Sequence, residues 1–233
     1  MVEIIAHRGA SRDFLENTRA AFAEAMAQNA DGIELDIHRS EDGFLVVHHD
    51  PVLRVGSSGT VVPISGSTYD ELRQHPLANG ESVPLLDEVL EMARGRAVVY
   101  VEVKGARLEE LLVECLDRHP RTASAVHSFD HRIAVRVREL RPATSIGLLS
   151  ASYPVDLAAF IGEVRPDALW QQNILIDTEL VRASSTLRAR VIAWTENDPE
   201  HAKALISAGV SAICTDTPGK LRSDLRSDLR SEL

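Results

Sequence analysis

Two cysteines in 233 residues, Cys115 and Cys214, are too few and too distant for a disulfide framework or a CxxC zinc site. Buried free thiols in a reducing compartment are the expected state. Aromatic residues make up only 4% of the chain, which argues against a surface that stacks nucleic-acid bases. Positive charge is also in deficit: the net charge of −10 repels polyanions, so neither nucleic acid nor an anionic membrane surface is an expected partner. No apolar run approaches the length needed to span a bilayer, so no membrane insertion is expected. The opening residues Met1–His7 lack a basic n-region followed by a long apolar stretch, and a cytoplasmic location is expected. What is present, 44% hydrophobic and 26% charged residues, is the composition of an ordinary globular domain.

Strand and helix signals alternate along the chain, the pattern of a parallel sheet covered by helices. Candidate strands fall at 3–7, 32–37, 98–103, 123–127, 145–149, 167–170, 190–194 and 211–214. Eight such units predict an α/β fold, a closed parallel (β/α)8 TIM barrel occupying 1–221. A ninth candidate, Phe44–His48, follows the second strand too closely for a parallel crossover, so it predicts a hairpin or an irregular excursion on the barrel rim that places His49 in a loop near the mouth. Residues 51–84 are rich in Gly, Ser and Pro and read as a small insertion after the second strand, either shaping substrate access or forming a mobile surface loop. Helix signals fall at 16–29, with Asn17 or Thr18 near the cap, and near 85–93, 107–118, 130–140, 155–163, 177–185 and 198–208. As a helix the four-residue repeat of 222–233 would align Leu221, Leu225, Leu229 and Leu233 in one stripe but stack like charges at i, i+4, so a frayed tail is the favoured expectation, with partner docking through the leucines as the alternative.

Short charged clusters recur at the predicted strand ends, where a parallel barrel carries its chemistry. The set His7-Arg-Gly9, Glu16-Asn-Thr18, Asp31-Gly-Ile-Glu-Leu-Asp36, Asp42-Gly43, Val46-Val-His-His-Asp-Pro51, Glu102-Val-Lys104, Ser128-Phe-Asp130, Trp194-Thr195 and Thr215-Asp216 resembles the glycerophosphodiester phosphodiesterase family of phospholipase C-like barrels, in family order. The resemblance implies a β/α barrel, one divalent metal such as Mg²⁺ or Ca²⁺, and hydrolysis of a small glycerophosphodiester to glycerol 3-phosphate and an alcohol. Two departures stand out. Asn29-Ala30 replaces the family's Gly-Ala, and Leu53–Ser57 replaces an Arg-Thr-Thr run, which loosens inference about the insertion and substrate choice.

The residues can also be read chemically. Glu34 and Asp36, two apart on one strand, face the same way and can converge on a hard cation, with Glu102 completing an oxygen-rich site. A phosphodiester needs its non-bridging oxygens neutralised and its departing alkoxide protonated. Arg8 offers a planar donor fork and Lys104 a point charge for the phosphate. His7 and His49 serve as general base and general acid in either order, because imidazole titrates near operating pH. The family pattern selects His49 over His48 as the functional histidine, and the first nucleophile is either a neighbouring glycerol hydroxyl, giving a cyclic phosphate, or water. Asp50 orients His49 or shapes its loop. Trp194 is a wall for the glycerol end or part of the core; Asn17 is a phosphate or metal contact or a helix cap. His38, His127 and His131 read as structural. A lysophospholipase D acting on lipid-derived diesters would need an apolar entry patch, and a catalytically silent barrel would lack one of these residues, all of which are present.

Overall fold

The computed structural model describes residues 2–56 and 59–231. Eight parallel strands close into a barrel: β1 (Glu3–Ala6), β2 (Gly32–Arg39), β6 (Val98–Val103), β7 (Ser124–Ser128), β8 (Ser145–Ser150), β9 (Ala168–Gln172), β10 (Arg190–Trp194) and β11 (Ala212–Thr215). Neighbours pair in that order, and β1 closes the ring by pairing with both β11 and β2. The short β3 (Leu45–Val47) turns back antiparallel on β2, as its short connector requires.

Helices alternate with the barrel strands: α1 (Arg19–Ala27), α3 (Leu86–Ala93), α4 (Glu109–Arg118), α5 (His131–Leu140), α6 (Leu157–Gly162), α7 (Thr178–Thr186), α8 (Pro199–Ser207) and α9 (Pro218–Ser231). Their starts are written in the sequence. Thr18 accepts from the Ala21 amide, and Asp130, Asp156, Asp177 and Asp198 cap α5 to α8 in the same way, satisfying amides that the first turn leaves free.

Alternate residues of each strand face opposite sides. Ile33, Leu35 and Ile37 pack outward beneath the helices, whereas Ile5, Tyr100, Trp170, Ile192 and Cys214 fill the barrel interior. At Gly147 a Cβ would stand 2.7 Å from the Trp170 ring, so the missing side chain lets that indole lie across the interior. Both cysteines are buried and free.

The insertion is a packed excursion. Strands β4 (Val52–Val55) and β5 (Thr60–Pro63) form an antiparallel pair, followed by the short α2 (Tyr69–Leu72) with a Thr68–Glu71 capping box. Val46, Leu53, Ile64, Tyr69, Leu72 and Val83 give it a small core of its own. Ser57 and Ser58 lie outside the described residues.

The C-terminal repeat departs from expectation: α9 continues through it to Ser231. Tertiary contacts outweigh the like-charge stacking. Leu221 is buried, Leu225 packs against the core and Arg222 pairs with Asp31 at 2.5 Å, while Lys220 and Asp224 add a local i, i+4 pair at 2.6 Å. The leucine stripe is followed to Leu225; the side chain of Leu229, and Leu233, lie outside the described residues. Among the described residues, no helix is long and apolar enough to cross a membrane.

Candidate active site

Strand register assembles the site. Asp36 of β2 stands beside Glu102 of β6, and Glu102 beside His127 of β7, so three polar side chains share one level at the C-terminal ends of adjacent strands. Glu34 lies two residues below Asp36 on the same face. All four are buried. Glu34, Glu102 and His127 each present a ligand atom within 4.8 Å of the others. Asp36 faces cations instead: Arg8 Nε and Lys104 Nζ are each 3.2 Å from its carboxylate, and the Asn17 amide donates to it at 2.8 Å. Lys104 also reaches Glu102 at 2.6 Å.

The electrostatics show what this cluster lacks. Burial and the neighbouring carboxylates of Asp36 and Glu102 push the Glu34 carboxyl well up, and burial with Asp36 pushes Glu102 up to about 7. Burial raises Asp36 as well, but Lys104, Arg8 and Asn17 outweigh it and hold that carboxyl below its ordinary value. Burial pushes His127 down to about 3, so its imidazole is neutral, stacked 4.1 Å from Trp170 with Nε2 3.8 Å from Glu34. Three carboxylates thus face two cations in a dry setting. A divalent cation fits this oxygen-rich, partly uncompensated donor set. His127, which sequence reasoning left structural, belongs to the cluster; no linear signal separates it from an ordinary strand histidine.

The loop from β1 to α1 folds back on itself to bring Arg8 here. Arg8 and Asn17 both take left-handed backbone (φ 56°), and the Asn17 amide donates to the Arg8 carbonyl at 3.0 Å. That turn sends the Arg8 backbone N–H to Glu34 at 3.1 Å and its guanidinium to Glu16 at 3.0 Å as well as to Asp36. Thr18, not Asn17, caps α1, which frees Asn17 for Asp36.

Each proposed catalytic histidine is held by an aspartate through Nδ1: His7 by Asp216 at 2.7 Å and His49 by Asp50 at 2.9 Å. The Asn197 amide and Ser11 hydroxyl also donate to Asp216, at 2.7 and 3.1 Å. Burial alone would raise the Asp216 carboxyl, yet the bonds from His7 and Asn197 keep it below its ordinary value, so it is the ionised acceptor. An acceptor at Nδ1 leaves Nε2 of each ring without that partner and available to the pocket. Asp216 thus sits against His7, a contact for which the sequence reading gave it no role. His38 contributes too, its Nε2 donating to the His49 carbonyl at 2.9 Å and so pinning the excursion that carries His49.

A pocket of about 120 Å³ is lined by His7, Arg8, Glu34, His49, Glu102 and Lys104, with Trp194 and Phe129 as its apolar wall, their rings 5.5 Å apart edge to face. All the predicted site residues except Asp36 line it, and Asp36 is one contact behind. His48 and His131 do not.

A barrel with acid-held histidines, clustered carboxylates and two phosphate-competent cations at its mouth defines a class of phosphoryl-transfer site. The chain belongs to the glycerophosphoryl diester phosphodiesterase family, whose model matches residues 7–220. It is 31% identical to a glycerophosphodiester phosphodiesterase of Caldanaerobacter subterraneus, over 94% of this chain and 95% of that one. Among solved structures it resembles an Oleispira antarctica phosphodiesterase in complex with the product sn-glycerol-3-phosphate (TM-score 0.89, 26% identity, 96% of each chain). It also resembles a glycerophosphodiester phosphodiesterase from Thermotoga maritima (TM-score 0.83, 26% identity, 99% of each chain).

Proposed function

We propose that this chain hydrolyses glycerophosphodiesters to glycerol 3-phosphate and an alcohol, using one divalent cation, Mg²⁺ or Ca²⁺, and histidine acid–base chemistry. The observation that carries this reading is the convergence of His7 and His49, each aligned by an aspartate, on a pocket whose floor is the buried carboxylate cluster. The family match and the relatives' activities support it.

Glu34, Asp36 and Glu102 would hold the cation, with neutral His127 beside them. When bound, the cation supplies positive charge to a non-bridging phosphate oxygen. Arg8 and Lys104 orient the phosphate and draw off further negative charge. One histidine takes the proton of the attacking hydroxyl through Nε2 while that oxygen bonds to phosphorus. The other gives a proton to the departing alkoxide as the second P–O bond breaks. With the neighbouring glycerol hydroxyl as nucleophile, the cyclic phosphate is then opened by water with the histidine roles reversed. Trp194 and Phe129 form the wall for the glycerol end. Two buried free thiols and a net charge of −10 accord with a cytoplasmic enzyme that has no nucleic-acid partner.

A second reading, cleavage of lipid-derived lysophosphodiesters, is favoured by one observation. Phe14, Leu15, Phe129, Tyr153, Val155 and Ile174 are exposed in loops that follow barrel strands. Glycerol 3-phosphate release from glycerophosphodiesters and lysophosphatidic acid release from lysophospholipids, with and without chelator, test the two readings on wild type, His7→Ala, His49→Ala and Glu102→Ala. Undiminished activity in the histidine variants would overturn the acid–base roles, and chelator-resistant activity would overturn the cation.

A further inference from the structure

A second cavity, about 500 Å³, adjoins the catalytic pocket at Lys104, which lines both. It lies between the end of β2 and the loop from β6 to α4, on the flank that carries His49. Pro51, immediately after His49-Asp50, forms part of its wall, as does His38, which holds the His49 carbonyl. The apolar wall of Trp194 and Phe129 stands on other strands, β10 and the end of β7. A phosphodiester seated between Arg8 and Lys104 therefore borders both the apolar wall, whose Phe129 ring is 5.9 Å from Lys104 Nζ, and this larger cavity.

The cavity is basic in a chain of net charge −10. Arg39 and Arg107 line it with Glu41 as the only acid. Both arginines are exposed, and no carboxylate lies within ion-pair distance of either among the described residues. Arg107 takes left-handed backbone (φ 62°) where α4 is about to begin. Ser40 beside Arg39 is locked instead by Asp42, at 2.6 Å, so the cavity edge is ordered without using either guanidinium.

We infer that this cavity is the leaving-alcohol subsite and that Arg39 and Arg107 select alcohols bearing an anionic group, such as a second phosphodiester or a phosphate. The inference rests on the hydrolytic reading above and adds to it the substrate class. Apolar or cationic headgroups gain nothing from two unpaired guanidiniums, whereas a phosphate or phosphodiester oxygen meets donors arranged for it.

Arg39→Gln, Arg107→Gln and the double variant test this against 1,3-bis(glycerophospho)glycerol, glycerophosphoethanol and glycerophosphocholine. Wild type should favour the first by about tenfold in kcat/KM over the neutral substrate. Each single variant should lose about threefold of that preference, and the double variant about tenfold, as expected for partly exposed charge pairs. Turnover of glycerophosphoethanol should stay within twofold. A wild-type preference for the neutral or cationic substrate, or equal losses on all three, would overturn the subsite. Calorimetric binding of 1,3-bis(glycerophospho)glycerol separates the two claims. Arginine-dependent binding without any glycerol 3-phosphate release would sink the hydrolytic reading alone, and binding indifferent to both arginines would sink the subsite.

Discussion

Replacing Asp216 by asparagine should cost about 10²–10³ in kcat, equivalent to about 3–4 kcal/mol of transition-state stabilisation, while changing the fold little. The reason lies in the hydrogen-bond directions around it. Asn197 has its amide orientation locked, because its Oδ1 accepts from the Thr215 hydroxyl and from the Asp216 backbone N–H, each at 2.8 Å. Its Nδ2 therefore donates toward position 216, at 2.7 Å, and requires an acceptor there. An asparagine at 216 must turn its oxygen to Asn197 and its NH₂ to His7. That NH₂ donates to Nδ1, drives the imidazole proton to Nε2, and removes the lone pair that faces the pocket. If His7 acts as the acid instead, the variant still fails, since a neutral amide cannot stabilise the imidazolium. The assay is steady-state glycerol 3-phosphate release with a pH–rate profile for both proteins. KM should stay within about threefold, so that the loss falls on kcat. Ser11→Ala, which removes a hydroxyl shared between the His7 carbonyl at 2.8 Å and Asp216 at 3.1 Å, should cost less than about tenfold. A D216N enzyme within threefold of wild-type kcat, or one whose whole loss is in KM, would refute the orienting role.

Gly9 ends the first charged motif at φ +86°, and a Cβ there would sit 2.6 Å from the carbonyl carbon of Ala21, so Gly9→Ala should destabilise by about 2–4 kcal/mol. A thermal melt lowered by less than about 3 °C would contradict that. Saturating Mg²⁺ or Ca²⁺ at a hundred times its Kd should add about 2.7 kcal/mol of stability through the carboxylate cluster. This is read as a rise of several degrees in Tm that Glu34→Gln should largely abolish. Burial would raise the Asp87 carboxyl, but Arg118 and His119, at 2.8 and 2.9 Å, hold it below its ordinary value. The lowered folded pKa means this contribution is complete above about pH 4 and disappears as pH falls through the folded value. Half exposed, it is worth less than about 1 kcal/mol, so Asp87→Asn should be slightly less stable than wild type at pH 7 and indistinguishable from it near pH 2.

The eight barrel strands were legible because strands buried on both faces read as short apolar runs between turn and cap residues, and all eight appear within a residue or two of expectation. The antiparallel return of β3 followed from connector length alone. At the C-terminal repeat the sequence showed both a leucine stripe and like-charge stacking but not which would prevail, because burial of Leu221 and the Arg222–Asp31 pair depends on residues nearly two hundred positions away. His127 and Asp216 escaped for the same reason. A lone histidine in β7 acquires meaning only when register sets it beside Glu102, and an aspartate after β11 only when it meets His7.

That last meeting shows how far the site depends on closure of the ring. β1 pairs with β11 from Glu3↔Ala212 to Ala6↔Thr215, and the His7 amide continues the ladder by donating to the Thr215 carbonyl at 2.9 Å. His7 and Asp216 are thus the next step of a pairing that joins the first strand to the last, 209 residues apart. On its other side β1 meets β2, and Arg8 reaches Glu34 and Asp36 there. The His7-Arg8 dipeptide is therefore divided between two seams: the histidine takes its orientation from the last strand, and the arginine takes its partners from the second. In the proposed roles, cation holding and phosphate contact would draw on β1, β2, β6 and β7, a half-barrel that is contiguous in sequence, and proton transfer at His7 on the closing seam. Loosening β11 should therefore depress turnover before it depresses cation binding, because the carboxylate cluster lies on the far side of β1 from that seam.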